Sequence, residues 1–391
     1  MNTEKHGMST PHGPLHGITV VDLTRVLAGP YCTMMLADLG ARVIKIENPG
    51  RGDDSRQVGP FVDGESAYFA SVNRNKSSIA LDLKDPADRA VLDRMLASAD
   101  VLVENFRAGV MDKLGYTWDQ LHARFPRLVY ASISGFGQTG PYRNRPAYDM
   151  VVQAMGGLMS VTGEPGGNPA RVGVSIGDIG AGLYATIGIQ AALLRRAATD
   201  VGERVDISML DCQVALLENP IARFSATGSV PKPLGTRHPS ITPFDMFATQ
   251  DGYIVIAVGN DALFARLCEA LGHPEWAGDA RFASVPARNE HHAALKSCLE
   301  SRLREASTAE WEAILETAGV PHGPLNGVPQ IMDNAHVAAR QMLLDVGIGE
   351  DKQLRVAGNP IKIGATWHAG EVRRAPRLDQ DRDALLDEFG A

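Results

Sequence analysis

Between residues 17 and 136, short runs of apolar, β-branched residues take turns with helical patterns, and this alternation restricts the fold more than any other feature. Residues 18–23 (ITVVDL), 42–47 (RVIKIE), 78–83 (SIALDL), 101–104 and 128–133 are predicted strands. Between them fall predicted helices over 30–38, with Pro30 in the first turn, over 85–96, opened by Asp85-Pro86, and over 118–125. Strand and helix in turn predict an α/β fold, a mostly parallel sheet with helices on both faces.

From Tyr148 onward helices take over. Residues 149–158 and 209–225 are predicted helical, with a strand at 205–208. The stretch 180–196 (GAGLYATIGIQAALLRR) is so apolar that its helix must be nearly buried. Residues 227–240 carry several Pro and Gly and no period, the mark of a linker. An alternating strand at 253–258 and helical segments at 261–271, 291–305 and 308–318 make a smaller α+β domain over 241–324. The expected organisation is a disordered leader at 1–14, a large domain over 15–226, the linker, the small domain, and a segment 325–391 returning to the large domain. A chain of 391 residues is long enough for two such cores.

Hydrophobic residues make up 44% of the chain and charged residues 21%, an ordinary globular balance. No twenty-residue apolar run predicts a membrane span, and the polar N-terminus lacks a signal-peptide core. His6, His12 and His16 have no cage around them, so no metal is expected. Cys32, Cys212, Cys268 and Cys298 are too scattered for a zinc motif or a disulfide framework, a usage that suits the cytoplasm. A net charge of −8 argues against a nucleic-acid partner while leaving room for a local basic pocket.

The first strand–helix junction, D-L-T-R-V-L-A-G-P-Y, is not G-x-G-x-x-G, which demotes a nicotinamide dehydrogenase even though Glu47 ends the second strand. There is no P-loop, no G-x-S-x-G and no H-E-x-x-H. Residues 174–183 (VSIGDIGAGL) are the most informative. Asp178 sits among glycines directly before the apolar helix, where an Asp is a preferred N-cap. The same position suits a carboxylate nucleophile, kept ionised by the helix N-terminus, with Gly177, Gly180 and Gly182 making room for a bulky thioester. Both readings can hold for one residue. Tyr148 and Asp149 open the preceding helix, after Arg143 and Arg145, and no histidine lies between His122 and His238.

In the segments T-R-V-L-A-G-P-Y (24–31), L-G-A-R-V-I-K-I-E (39–47), N-R-N-K-S-S-I-A-L-D-L-K (73–84), V-E-N-F (103–106) and S-G-F-G-Q-T-G-P (134–141), the chain resembles the class III CoA-transferase (CaiB/BaiF) family. The likeness continues through Y-D (148–149), G-D (177–178), G-T-R-H-P-S-I (235–241), D-G-Y-I-V-I-A-V-G-N (251–260) and A-G-V-P-H-G-P-L-N (318–326). It implies a Rossmann-like large domain, an interlocked homodimer, and coenzyme A or acyl-CoA as substrate, with no tightly bound cofactor.

Position by position, the resemblance places the nucleophile on Asp178 and an aromatic–acidic pair near the thioester on Tyr148 and Asp149. CoA contacts fall on Val26, Leu27, Ala28, Leu81, Lys84, Asn105, Phe106 and Lys113. Arg25, Arg143 and Arg145 suit a second substrate carboxylate, and the 24–30 and 73–76 segments resemble the branch that uses succinyl-CoA and dicarboxylic acids. The glycine-run loop of formyl-CoA transferase has no counterpart at 235–243, which argues away from formate and oxalate. An acyl-CoA racemase of the same superfamily is the alternative. It is disfavoured because Tyr148 stands where the racemases carry a histidine, and tyrosine, with an ordinary pKa of about 10, is a poor base at neutral pH.

Overall fold

A computed structural model of the chain describes residues 13–364 and 372–389. The expected leader lies almost wholly outside them, as do His6 and His12. The described residues form two compact units, one drawn from Met1–Met159, Arg171–Ser229 and His336–Ala391, the other from Ser160–Ala170 and Val230–Ala335.

The first unit is built on six strands: β1 (Thr19–Asp22), β2 (Arg42–Glu47), β3 (Lys76–Ala80), β4 (Val101–Glu104), β5 (Val129–Ser134) and β6 (Arg204–Ser208). Every neighbouring pair is parallel, in the order β3-β2-β1-β4-β5-β6. That is the doubly wound order, which reverses direction between β1 and β4 and leaves a crevice at their carboxyl ends. The central strands are buried on both faces, which is why they read as near-continuous apolar runs rather than alternating ones.

Four helices bear on the crevice: α1 (Ala28–Asp38), α2 (Asp149–Met155), α3 (Ile176–Thr199) and α4 (Met209–Leu216). Helix α3 starts four residues before the expected 180–196 and is long and apolar enough to cross a membrane by length and composition. One face of it is core: Ala181, Ala185 and Ile189 are fully buried in one cluster with Ala28 and Cys32 of α1 and Val101 and Ala131 of the sheet. Leu183, Ile187 and Leu194 on the other face are exposed, so the helix is not nearly buried as its composition predicts. The single helix expected over 209–225 is two, Met209–Leu216 and Glu218–Thr227. Pro220 lacks the N–H that would bond Leu216, and its ring crowds that carbonyl, so the ladder breaks there.

In the second unit β7 (Phe244–Ala248), β8 (Tyr253–Ala257) and β9 (His322–Pro324) form an antiparallel sheet in the order β9-β8-β7. It packs with helices Asp261–Ala270, His292–Leu303 and Thr308–Thr317 around Phe247, Phe264 and Trp311, an α+β arrangement. Residues 160–170 and 325–335 group with this unit beyond the expected 241–324. In the first unit the C-terminal segment covers the free edge of β3. Asp381 accepts the Ser78 N–H at 2.8 Å and Asp379 the Ala80 N–H at 2.7 Å, and Leu385 joins the core.

Candidate active site

The crevice holds two adjoining cavities. A larger one of about 400 Å³ is lined by the ends of β1 and β2 and by Leu81 and Lys84. A smaller one of about 170 Å³ is lined by Val26, Leu27, Ala28, Asn105, Tyr148 and Asp178, together with Arg143 and Arg145. Arg25, Asp54 and Phe106 border both. The Arg25 guanidinium lies 5.7 Å from the Phe106 ring centroid and 3.2 Å from Asp54.

Two expected site residues stand apart. Lys113 is exposed and lines neither cavity, although Val110 and Leu114 beside it face the larger one. Asp149 lies behind the smaller cavity, buried, and acts on the backbone rather than on the cavity. Its Oδ1 accepts the Gly177 N–H at 2.8 Å and its Oδ2 accepts Gln153 Nε2 at 2.8 Å.

Asp178 is not the cap of its helix. The N-cap position is Ser175, whose side chain makes no capping bond, and Asp178 is the third residue of α3. The capping carboxylate comes instead from Asp149, on another helix. Nor is the Asp178 carboxyl held at the low pKa expected from a helix N-terminus. Burial and the charge of Asp149 push it up to about 7, and among the described residues no side chain or peptide N–H bonds to it. Desolvation and a like charge both favour the protonated form.

The glycines also do something other than admit a thioester. A Cβ at position 177 would lie 2.7 Å from Val152 Cγ2 and 2.9 Å from Asp149 Oδ1. One at 182 would lie 2.8 Å from the Ala28 carbonyl oxygen. Both glycines let α3 approach its neighbours closely. Gly180 alone has ordinary clearance, 3.7 Å to Leu216.

A buried polar network beneath the β1–α1 loop was invisible in the sequence pattern. Lys76, fully buried, contacts Asp22 at 3.1 Å and donates to Thr33 Oγ1 at 2.7 Å and Asn73 at 2.8 Å. Lys45 donates to the Thr24 carbonyl at 2.7 Å and pairs with Asp53 at 2.8 Å. Burial opposes the charge on Asp53, yet Lys45 holds its carboxyl well below the ordinary range. Glu104, at the end of β4, accepts the Phe106 N–H at 2.8 Å and bonds Tyr130 and Ser132. Burial pushes it up to about 7. The strand ends read as apolar runs with stray charges, and only folding joins those charges into pairs.

Among the described residues no group of three or more His, Cys, Asp or Glu is placed to hold a metal ion. The chemistry the smaller cavity offers is that of an unbonded carboxylate of raised basicity, with guanidinium groups along the same walls.

The pattern of CoA-transferase family III matches residues 15–382. The chain is 47% identical to an acetyl-CoA:oxalate CoA-transferase of Acetobacter aceti, over 97% of both chains. It is 40% identical to a succinate–glutarate CoA-transferase of Agrobacterium fabrum, over 96% of both. Among solved structures, a CAIB/BAIF family protein of Brucella suis superposes with a TM-score of 0.86 at 40% identity, covering 97% of this chain and all of that one, 100%. Fold, crevice and end-to-end similarity agree, and this protein is a member of the CoA-transferase family III, an enzyme that transfers coenzyme A.

Proposed function

We propose that the enzyme moves CoA from a dicarboxylic acyl-CoA, succinyl-CoA as the usual donor, to a second dicarboxylic acid, with Asp178 carrying first the acyl group and then CoA. The observation that carries this reading is the Asp178 carboxylate itself, unbonded and facing the same cavity as Arg25, Arg143 and Arg145.

The Asp178 carboxylate oxygen attacks the donor thioester carbonyl, and the C–S bond breaks to give an aspartyl anhydride and CoA thiolate. The thiolate attacks the Asp178 carbonyl carbon, forming an aspartyl-CoA thioester and releasing the donor acid as its carboxylate. The acceptor carboxylate then attacks that thioester, giving a new anhydride and CoA thiolate. Attack of the thiolate on the acceptor carbonyl frees the new acyl-CoA and restores Asp178. No net proton or electron is exchanged. A carboxylate whose pKa is near 7 is more basic than an ordinary one and still substantially ionised at neutral pH. An anhydride hydrolyses readily, so the half-buried position of Asp178 matters as shelter from water.

The dicarboxylate assignment rests on the three guanidinium groups, which match a carboxylate remote from the reacting centre. It is supported by relatives named for succinate with glutarate, for mesaconate and for citramalate. Oxalate, in the name of the 47%-identical relative, is a dicarboxylate too, so acetyl-CoA with oxalate belongs in the test. The test is a panel of donors and acceptors read by mass spectrometry. Transfer is expected with dicarboxylates and lost in Asp178→Ala, and failure with every dicarboxylate removes the assignment. Hydroxylamine added with acyl-CoA should leave a hydroxamate adduct on Asp178, and borohydride should reduce the aspartyl-CoA thioester to the alcohol with release of CoA.

The family resemblance further leads us to propose an interlocked homodimer. Ile187 and Leu194 on α3, 63% and 75% exposed, supply apolar surface for such contacts. A monomer by light scattering would contradict it.

A further inference from the structure

The β1–α1 loop carries Val26 at φ +68°, a left-handed conformation that a β-branched residue rarely adopts. Such strain persists only where surrounding bonds over-determine it, and here they do. The Arg25 N–H donates to Asn105 Oδ1 at 2.9 Å, and Asn105 Nδ2 donates back to the Arg25 carbonyl at 2.8 Å. The Val26 N–H, on the other end of that same peptide, donates to Asp53 Oδ1 at 3.0 Å. The Thr24 carbonyl is held by Lys45. Two consecutive peptides are therefore fixed at both ends.

Asp53 is the unusual member of this set. Its Oδ1 also accepts the Ser55 N–H at 2.9 Å and the Ser55 hydroxyl at 2.7 Å. Its Oδ2 makes no hydrogen bond of good geometry and is balanced by the buried Lys45 ammonium 2.8 Å away. Asp53 borders the larger cavity and not the smaller one that holds Asp178, and its carboxylate oxygens are taken up by Val26, Ser55 and Lys45. The strained residue, in contrast, lines the smaller cavity, next to Arg25.

We propose that Asp53 is a positioning residue for CoA transfer: anchored by Lys45, it holds Val26 in the left-handed conformation and so presents residues 25–28 to the acyl-CoA in one preformed arrangement. This rests on the reading of that loop as the one that contacts acyl-CoA. In Asp53→Asn the amide oxygen turns to the buried Lys45 charge, which leaves the amide NH2 against the Val26 N–H. Val26 then relaxes toward negative φ and the loop is no longer preformed. Preorganisation lost before the substrate binds appears mainly in KM.

The test is a cycle with Val26→Gly, because glycine reaches φ near +68° without steric cost. Asp53→Asn should raise KM for the acyl-CoA roughly 10- to 100-fold and change kcat less than about threefold. Adding Val26→Gly to that background should recover about fivefold or more in kcat/KM, whatever Val26→Gly costs alone. Losses that simply multiply would overturn the proposal, since a buried pair that only stabilises the fold gains nothing from a glycine in the loop. If Asp53→Asn does not fold, Asn105→Ala, which frees the same peptide from its other side, takes its place in the cycle with the same expected rescue and the same overturning result. Asp178 labelling at saturating acyl-CoA separates this from the catalytic reading. The Asp53 variant should still form the adduct, whereas an error about Asp178 would leave wild type unlabelled while the kinetic cycle stayed readable.

Discussion

The carboxylate of Asp149 accepts the backbone N–H of Gly177 at 2.8 Å, one residue before Asp178. A residue expected beside the thioester is thus the cap of the helix that carries the proposed nucleophile. Its second oxygen is held by Gln153, whose own carbonyl accepts the Val172 N–H at 3.0 Å, so the turn leading into that helix is fixed from both sides. The same negative charge raises the pKa of Asp178. One side chain thus fixes the turn that carries its neighbour and adds to the rise in basicity that burial produces.

Removing that charge should therefore change the pH profile. In Asp149→Asn the acid limb of kcat should move to lower pH, by up to about one unit, because a like charge beside Asp178 is gone. Asp149→Ala should also lose the cap and about 1 kcal/mol of stability in urea unfolding. An unmoved acid limb in Asp149→Asn would separate the two residues electrostatically.

Wild-type activity should fall on acidification through about pH 7, as Asp178 takes up a proton. The stability effect runs the other way. A carboxyl whose pKa rises on folding binds its proton more tightly when folded. Its favourable contribution is complete below the ordinary 3.8 and is lost as pH climbs toward about 7. Asp178→Asn should therefore be more stable than wild type by at least about 1 kcal/mol near pH 8 and little different near pH 4. Thermal unfolding at the two pH values checks this, and an equal change at both would count against it.

Two glycines of one helix should respond in opposite ways. Gly177→Ala places a Cβ against Val152 and Asp149 and should cost about 1–3 kcal/mol and most of the activity. Gly180→Ala meets nothing closer than 3.7 Å and should gain up to about 1 kcal/mol from helix propensity. Denaturation midpoints of the pair give the answer directly. Equal losses would show that both glycines are there to admit substrate.

The lysines should divide as their positions do. Lys84 lines the larger cavity, and Lys84→Ala should raise KM for acyl-CoA about tenfold, less at high salt. Lys113→Ala, at an exposed position outside both linings, should change KM less than about twofold. Similar effects from both would bring Lys113 back to the CoA site.

Much of the architecture was legible because it rests on local and periodic signals. The strands at 42–47 and 101–104 fall where the apolar runs lie, and Asp85 caps the helix that Pro86 opens. The family likeness ran through short motifs in order, each readable without knowing where it sits in space. The sequence also marked Asp178 as a helix-start carboxylate among glycines.

What it did not carry was any relationship that depends on distant residues meeting. The cap on the helix that carries Asp178 comes from a carboxylate 28 positions away, and the grip on Arg25 from an asparagine 80 positions away. The rise of Asp178 to about 7 comes from burial and from a neighbour on another helix, terms that a local pattern does not contain. Local sequence determined where most strands and helices fall and which carboxylate lies in the first turn of the apolar helix. Tertiary packing alone decided how that carboxylate is held, how basic it is, and which charges are paired beneath it, because those quantities depend on solvent exclusion and through-space contact.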